Sequence, residues 1–162
     1  MEPTIQLPAT TDRVALYAAL LPQVRELLQD EHDPIASMAN MAAAIREAFG
    51  WHWVGFYRVM GAELVLGPFQ GPVACTRIGH GKGVCGTAWA EERTVVVPDV
   101  TKFPGHIACS PLSRSEIVVP VRDRSGHIAA VLDIDSERPD DFTEVDEHAL
   151  GRLCALLEPR FE

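Results

Sequence analysis

The residues of this chain best suited to covalent chemistry are its four cysteines, Cys75, Cys85, Cys109 and Cys154. None stands in a C-x-x-C pair, so the spacing marks neither a zinc ribbon nor a thioredoxin-type motif. Cys109 follows Pro104 and Gly105 in a predicted loop with His106, Lys102 and Arg114 nearby, and cationic neighbours lower a thiol pKa. Cys85 follows a glycine-rich stretch at a predicted helix start, where the helix dipole also favours a thiolate. Cys75 is expected on a short strand. Spacing leaves three readings open for these thiols. They form a reactive centre, or a structural zinc site with His80 or His106, or they are unconnected small residues. Cys154, on the apolar side of the last predicted helix, reads as a buried structural thiol.

A second group is acidic. Alternation along strands puts residues two apart on one face. In a predicted hairpin, Glu116 and Val118 then share a face with Val131, Asp133 and Asp135. Ile117, Val119 and Val121 share the other with Leu132 and Ile134. A turn centred on Arg124 and Ser125 sets Glu116 directly opposite Asp133, with Asp135 one pleat away. Carboxylates across a ladder repel, and a sheet covered on one side only would leave these acids to water. A cluster of three also suits a cation, either an ammonium group or a hard metal ion. A cluster that raises one carboxyl pKa supplies a general acid. In an earlier strand Trp53, Gly55 and Tyr57 share a face, and Gly55 is expected to leave open space between two aromatic walls.

The elements that must position these groups follow from periodicity. Val14, Leu16, Tyr17, Leu20, Leu21, Val24, Leu27 and Leu28 recur at helical spacing behind Asp12 as N-cap, with a kink or break expected at Pro22. Asp33-Pro34 opens a second helix that stops at Gly50. Strands are predicted over 51–59, 63–69, 75–78, 94–97, 115–122 and 127–135. A short helix is predicted over 84–92, and Thr143 caps a last helix running to about Leu157. Helices at both ends of mostly antiparallel strands make the class α+β. Residues 1–11 are expected to be a flexible arm, and 12–162 one domain.

Composition narrows the partners. Hydrophobic residues make up 47% and charged residues 23% of the chain, the profile of a soluble globular protein. The net charge of −9 disfavours nucleic acid and anionic lipid. No signal peptide and no membrane-spanning run is expected, so the cytoplasm is the default compartment, where cysteines stay reduced.

The segments Gly83–Ala88, Val97–Val100, Gly105–Cys109, Ser113–Pro120 and Val131–Ser136 together resemble the free methionine-(R)-sulfoxide reductases, which have the GAF fold. The resemblance spans roughly residues 12–158. It implies reduction of free methionine sulfoxide, with Cys109 as nucleophile, Cys75 as principal resolving cysteine and Cys85 as an auxiliary thiol. It further implies that Glu116, Asp133 and Asp135 bind the substrate and protonate its oxygen, and that Trp53 and Tyr57 wall the methionine pocket. No bound metal or organic cofactor is implied, and a thioredoxin-like reductant would restore the dithiol. A homodimer is compatible with the sequence, which does not fix the oligomeric state. One departure is Ser110, where the family commonly has an acidic residue. The alternatives are a non-catalytic GAF sensor for a small ligand, or a thiol redox switch. A sensor is expected to sit beside an output domain, which these residues do not contain.

Overall fold

The fold is built on a six-stranded sheet ordered β3-β2-β1-β6-β5-β4, with every neighbouring pair antiparallel. The computed structural model describes residues 2–107 and 109–162, so that Met1 of the N-terminal segment and Ala108 of the Gly105–Cys109 motif lie outside it. The strands are β1 (Trp53–Met60), β2 (Glu63–Gln70), β3 (Arg77–Gly79), β4 (Val95–Val97), β5 (Ser115–Arg122) and β6 (Ile128–Ser136). The helices are α1 (Arg13–Leu27), α2 (Pro34–Phe49), α3 (Gly83–Glu91) and α4 (Glu144–Ala155). The class is α+β, as the sequence predicts.

Local signals explain the helix ends. Asp12 and Asp33 accept backbone N–H bonds from Val14 and Ala36 as N-caps. Gly50, at φ 66°, closes α2 in the left-handed conformation that glycine adopts without penalty. Thr143 and Asp146 form a capping box at the start of α4. Of the kink or break expected at Pro22, the break does not occur, and α1 continues through it. Tertiary packing of Leu20 and Val24, both wholly buried, outweighs the one backbone bond that proline removes.

Both faces of the sheet are covered, so the expectation of one bare face fails. Val54, Phe56, Ile117, Val119, Leu132 and Ile134 pack against α1, α2 and α4. Trp53, Tyr57, Val118 and Val131 pack on the opposite side with Val84, Cys85 and Ala88 of α3. The short α3 is what removes the acidic face from bulk water.

The hairpin register differs from the predicted one. Glu116 pairs with Asp135, and Val118 with Asp133. Two features each move the register by one residue. The turn is a three-residue loop in which the Asp123 N–H bonds the His127 carbonyl and Gly126 adopts φ 88°. A bulge then follows between Val121 and Arg122, leaving Ala129 as the extra residue on β6. A one-residue slip inverts every side chain, and two slips restore the faces.

Candidate active site

Three adjacent strands, α3 and the loops around them bring the predicted groups into one cavity. Its walls include Trp53, Tyr57, Cys85, Cys109, Glu116, Asp133 and Asp135. On the sheet floor, Asp135 lies between Glu116 of β5 and Trp53 of β1. One pleat further along, Asp133 lies across from Gly55.

Gly55 does not leave the open space expected of it. A Cβ there would sit 2.6 Å from Cη2 of Trp53 and 2.4 Å from Cβ of Phe69. The missing side chain lets the Trp53 indole fold across its own strand. The indole stacks on Phe69 with centroids 5.2 Å apart and on Tyr57 at 5.9 Å. The polar ends of both aromatics grip the loop before β3. Trp53 Nε1 donates to the Pro72 carbonyl at 3.0 Å, and the Tyr57 hydroxyl donates to the Cys75 carbonyl at 2.9 Å.

Cys75 therefore sits in that loop and not on β3, which begins only at Arg77. Pro72 in the same segment cannot donate to a ladder. Cys75 forms a disulfide with Cys109, with Cα atoms 5.6 Å apart, an ordinary span for such a bond. The two residues are 34 apart in sequence, and no sequence pattern reveals their pairing.

Cys85 is a free, buried thiol. Its position early in α3 does not make it a thiolate. Desolvation, reinforced by the nearby charges of Asp133 and Glu116, pushes its pKa well up. Burial and like charge outweigh the dipole of a short helix. Cys154 is buried among the α1, α2 and α4 side chains, as its helical position predicts.

The acids are not solvated. Glu116 is 5% exposed and Asp133 6%, while Asp135 is half-buried. Burial and the charge of Asp135 raise Glu116 to about 8. Burial and neighbouring acids likewise hold Asp133 and Asp135 well above the ordinary carboxylate range. Asp133 Oδ1 is buried and has no hydrogen-bond partner among the described residues. An orphaned buried acceptor beside protonated acids is prepared for a donor that arrives with a ligand.

Of the cations expected near Cys109, His106 lines the same cavity, whereas Lys102 and Arg114 are exposed. Lys102 lies 3.9 Å from Asp99. His106 faces Glu116, its Nε2 3.7 Å from the carboxylate, and burial lowers its pKa towards the neutral form. The zinc arrangement of three thiols is not present, because Cys75 and Cys109 are bonded to each other. A different set, Cys85, Glu116 and Asp133, has ligand atoms within 4.8 Å of one another, close enough to share an ion.

Comparison with known proteins agrees with this geometry. The GAF domain family matches residues 33–160. GAF domain-containing protein A of Dictyostelium discoideum is 56% identical over 143 residues, covering 88% of this chain and 90% of that protein. The free methionine-R-sulfoxide reductase of Escherichia coli is 43% identical over 148 residues, covering 91% and 89%. The chain belongs to the free methionine-R-sulfoxide reductase family of GAF domains. Within that family, the crystal structure of the Neisseria meningitidis reductase in complex with its substrate superposes with a TM-score of 0.95 at 54% identity. The superposition covers 99% of this chain and 96% of that one. The overlap therefore takes in every element that builds the cavity.

Sequence alone gives His52 no role, and Ser110 stands out only as a departure from the acidic residue that the family commonly has there. The structure places the His52 Nε2 atom 3.1 Å from the Ser110 hydroxyl beside Cys109. A lone histidine before a strand gives no sign of a partner 58 residues away.

Proposed function

We propose that this protein reduces free methionine (R)-sulfoxide to methionine, using Cys109 and Cys75. The observation that carries the reading is the Cys75–Cys109 disulfide at the wall of a cavity floored by buried acids and lined by Trp53 and Tyr57. In the reduced protein the Cys109 thiolate attacks the sulfoxide sulfur. A protonated carboxyl group, Glu116 or Asp133, gives its proton to the oxygen. The hydroxyl then passes from the substrate sulfur to Cys109 Sγ as the transient S–S bond breaks, so that methionine leaves and Cys109 becomes a sulfenic acid. The Cys75 thiol displaces water from that sulfenic acid and forms the disulfide. A thioredoxin-like dithiol then reduces the disulfide by exchange. No step requires a bound cofactor or metal.

The acids also select for a free amino acid. The substrate ammonium pairs with carboxylates that are otherwise buried without a cation, and a methionine within a polypeptide brings no such charge. Lys82 and the first residues of α3, Gly83 and Val84, line the same cavity and complement the substrate carboxylate. Trp53 and Tyr57 flank the methyl-thioether end. The preference for the R epimer rests on the relatives. Among the described residues no helix is long and apolar enough to cross a membrane, and a cytoplasmic location suits a cycle that starts from reduced thiols.

Thiol titration of the fully reduced protein tests the chemistry. Free methionine sulfoxide should consume two thiols for each methionine released. A ligand that binds without thiol loss would identify a sensor instead.

A further inference from the structure

Ser110, the residue after Cys109, lines the same cavity and is held there by an imidazole. Nε2 of His52 lies 3.1 Å from the Ser110 hydroxyl, and Nδ1 lies 3.1 Å from Oε1 of Glu137. His52 directly precedes β1, and Glu137 directly follows β6. One ring thus joins the sheet ends to the loop that carries the disulfide. The His52 side chain is only 11% exposed, so the ring is held rather than loosely hydrated.

One tautomer satisfies every group. An ionised Glu137 only accepts, so Nδ1 carries the proton and Nε2 accepts from the Ser110 hydroxyl. The Ser110 oxygen in turn accepts the Leu112 N–H at 3.3 Å. The neighbouring backbone bonds of the loop are local, from His106 to Phe103 and from Cys109 to Ile107. The disulfide to Cys75 is a second tether, but it is open in the state that meets a substrate.

We propose that His52 is a positioning residue for the first chemical step: through Ser110 it holds the turn bearing Cys109 over the cavity once the disulfide is reduced. Glu137 fixes the tautomer that makes this bond. The proposal rests on the function proposed above. It assigns no bond-making role to His52 and leaves the acids and aromatic walls to bind the substrate.

The test is the single-turnover rate of methionine release by fully reduced protein, measured across substrate concentrations. His52→Ala and Ser110→Ala should each slow the step roughly tenfold, within the range that misplacement of a reacting group costs. The half-saturating concentration should stay within about twofold. The double variant should be no slower than the slower single one, because both remove one link. His52→Gln, whose amide reaches where Nε2 stood, should restore most of the rate. His52→Asn, long enough only for the Glu137 contact, should not. Ser110→Ala changes one half-buried hydroxyl, so it keeps the test open if His52→Ala fails to fold. Multiplying losses, a loss seen only in half-saturation, or rescue by Asn and not Gln would overturn the proposal, as would a wild-type rate in His52→Ala or Ser110→Ala. If the unaltered protein releases no methionine, the proposed function fails instead.

Discussion

The hydroxyl of Tyr57 donates a 2.9 Å hydrogen bond to the backbone carbonyl of Cys75. A side chain of the cavity thereby holds the loop of Cys75, the proposed resolving cysteine. Tyr57→Phe keeps the aromatic wall and loses only this tether. Methionine release in a first turnover should stay within about twofold of the unaltered rate. Formation of the Cys75–Cys109 bond should slow roughly fivefold, the effect of losing about 1 kcal/mol. Alkylation of the remaining thiols at timed intervals, followed by mass mapping, separates the two steps.

The two bonded cysteines should fail differently. Cys109→Ser removes the proposed attacking atom and should abolish methionine release. Cys75→Ser retains the first attack and should release about one methionine per protein before stalling at a sulfenic acid. A burst assay with a sulfenic-acid trap distinguishes them. Sustained turnover by Cys109→Ser would remove that residue from its assigned role.

Glu116 ties stability and rate to pH in the same direction. Burial and the charge of Asp135 raise its pKa from 4.5 to about 8. A carboxyl raised in the fold contributes most when protonated. Its contribution is fully present below about 4.5 and is lost as the pH climbs through about 8. The ligand-free protein should therefore lose stability across that window, and Glu116→Gln should flatten the slope in urea titrations at stepped pH. The proton-donating step should weaken above the same upper limit of about 8, read as a fall in single-turnover rate.

Asp146 secures the helices behind the sheet. Its side chain has no exposed surface. It accepts from the Tyr17 hydroxyl at 2.7 Å, Arg13 at 2.7 Å and the Thr143 N–H at 2.9 Å. Asp146→Ala leaves the Tyr17 hydroxyl and the Thr143 N–H without this acceptor and removes the Asp146 half of the α4 capping box. Urea unfolding should show a loss of about 3 kcal/mol.

Alternation alone places Trp53 and Tyr57 on one face of their strand, and Glu116 with Asp133 and Asp135 on one face of the hairpin; the pairing of β1 with β6 makes these the same side of the sheet. The face assignment succeeded even though the hairpin register was misjudged, because a shift of two residues preserves the side of the sheet. The pairing of Glu116 with Asp135 was not legible. It depends on a glycine turn and on a bulge at Ala129, and neither leaves a periodic mark. The Trp53 fold over Gly55 depends on a rotamer and on the width of its neighbour. Burial of the acids required knowing that α3 packs over them, and the neutral state of Cys85 follows from that burial. The His52–Ser110 contact joins distant segments through loop geometry, and neither residue type announces it. The nucleophile and its resolving partner were named through resemblance, since spacing left the thiols open to several readings.

The most direct test of the account is methionine release by the reduced protein from separated R and S epimers of free methionine sulfoxide, with peptide-bound sulfoxide alongside. Release is expected from the free R epimer and little from the other two, because a peptide brings no ammonium to the buried acids and the Escherichia coli and Neisseria meningitidis relatives are R-sulfoxide reductases. Equal release from the peptide would contradict the role given to Glu116, Asp133 and Asp135, and no release from any substrate would contradict the reductase itself.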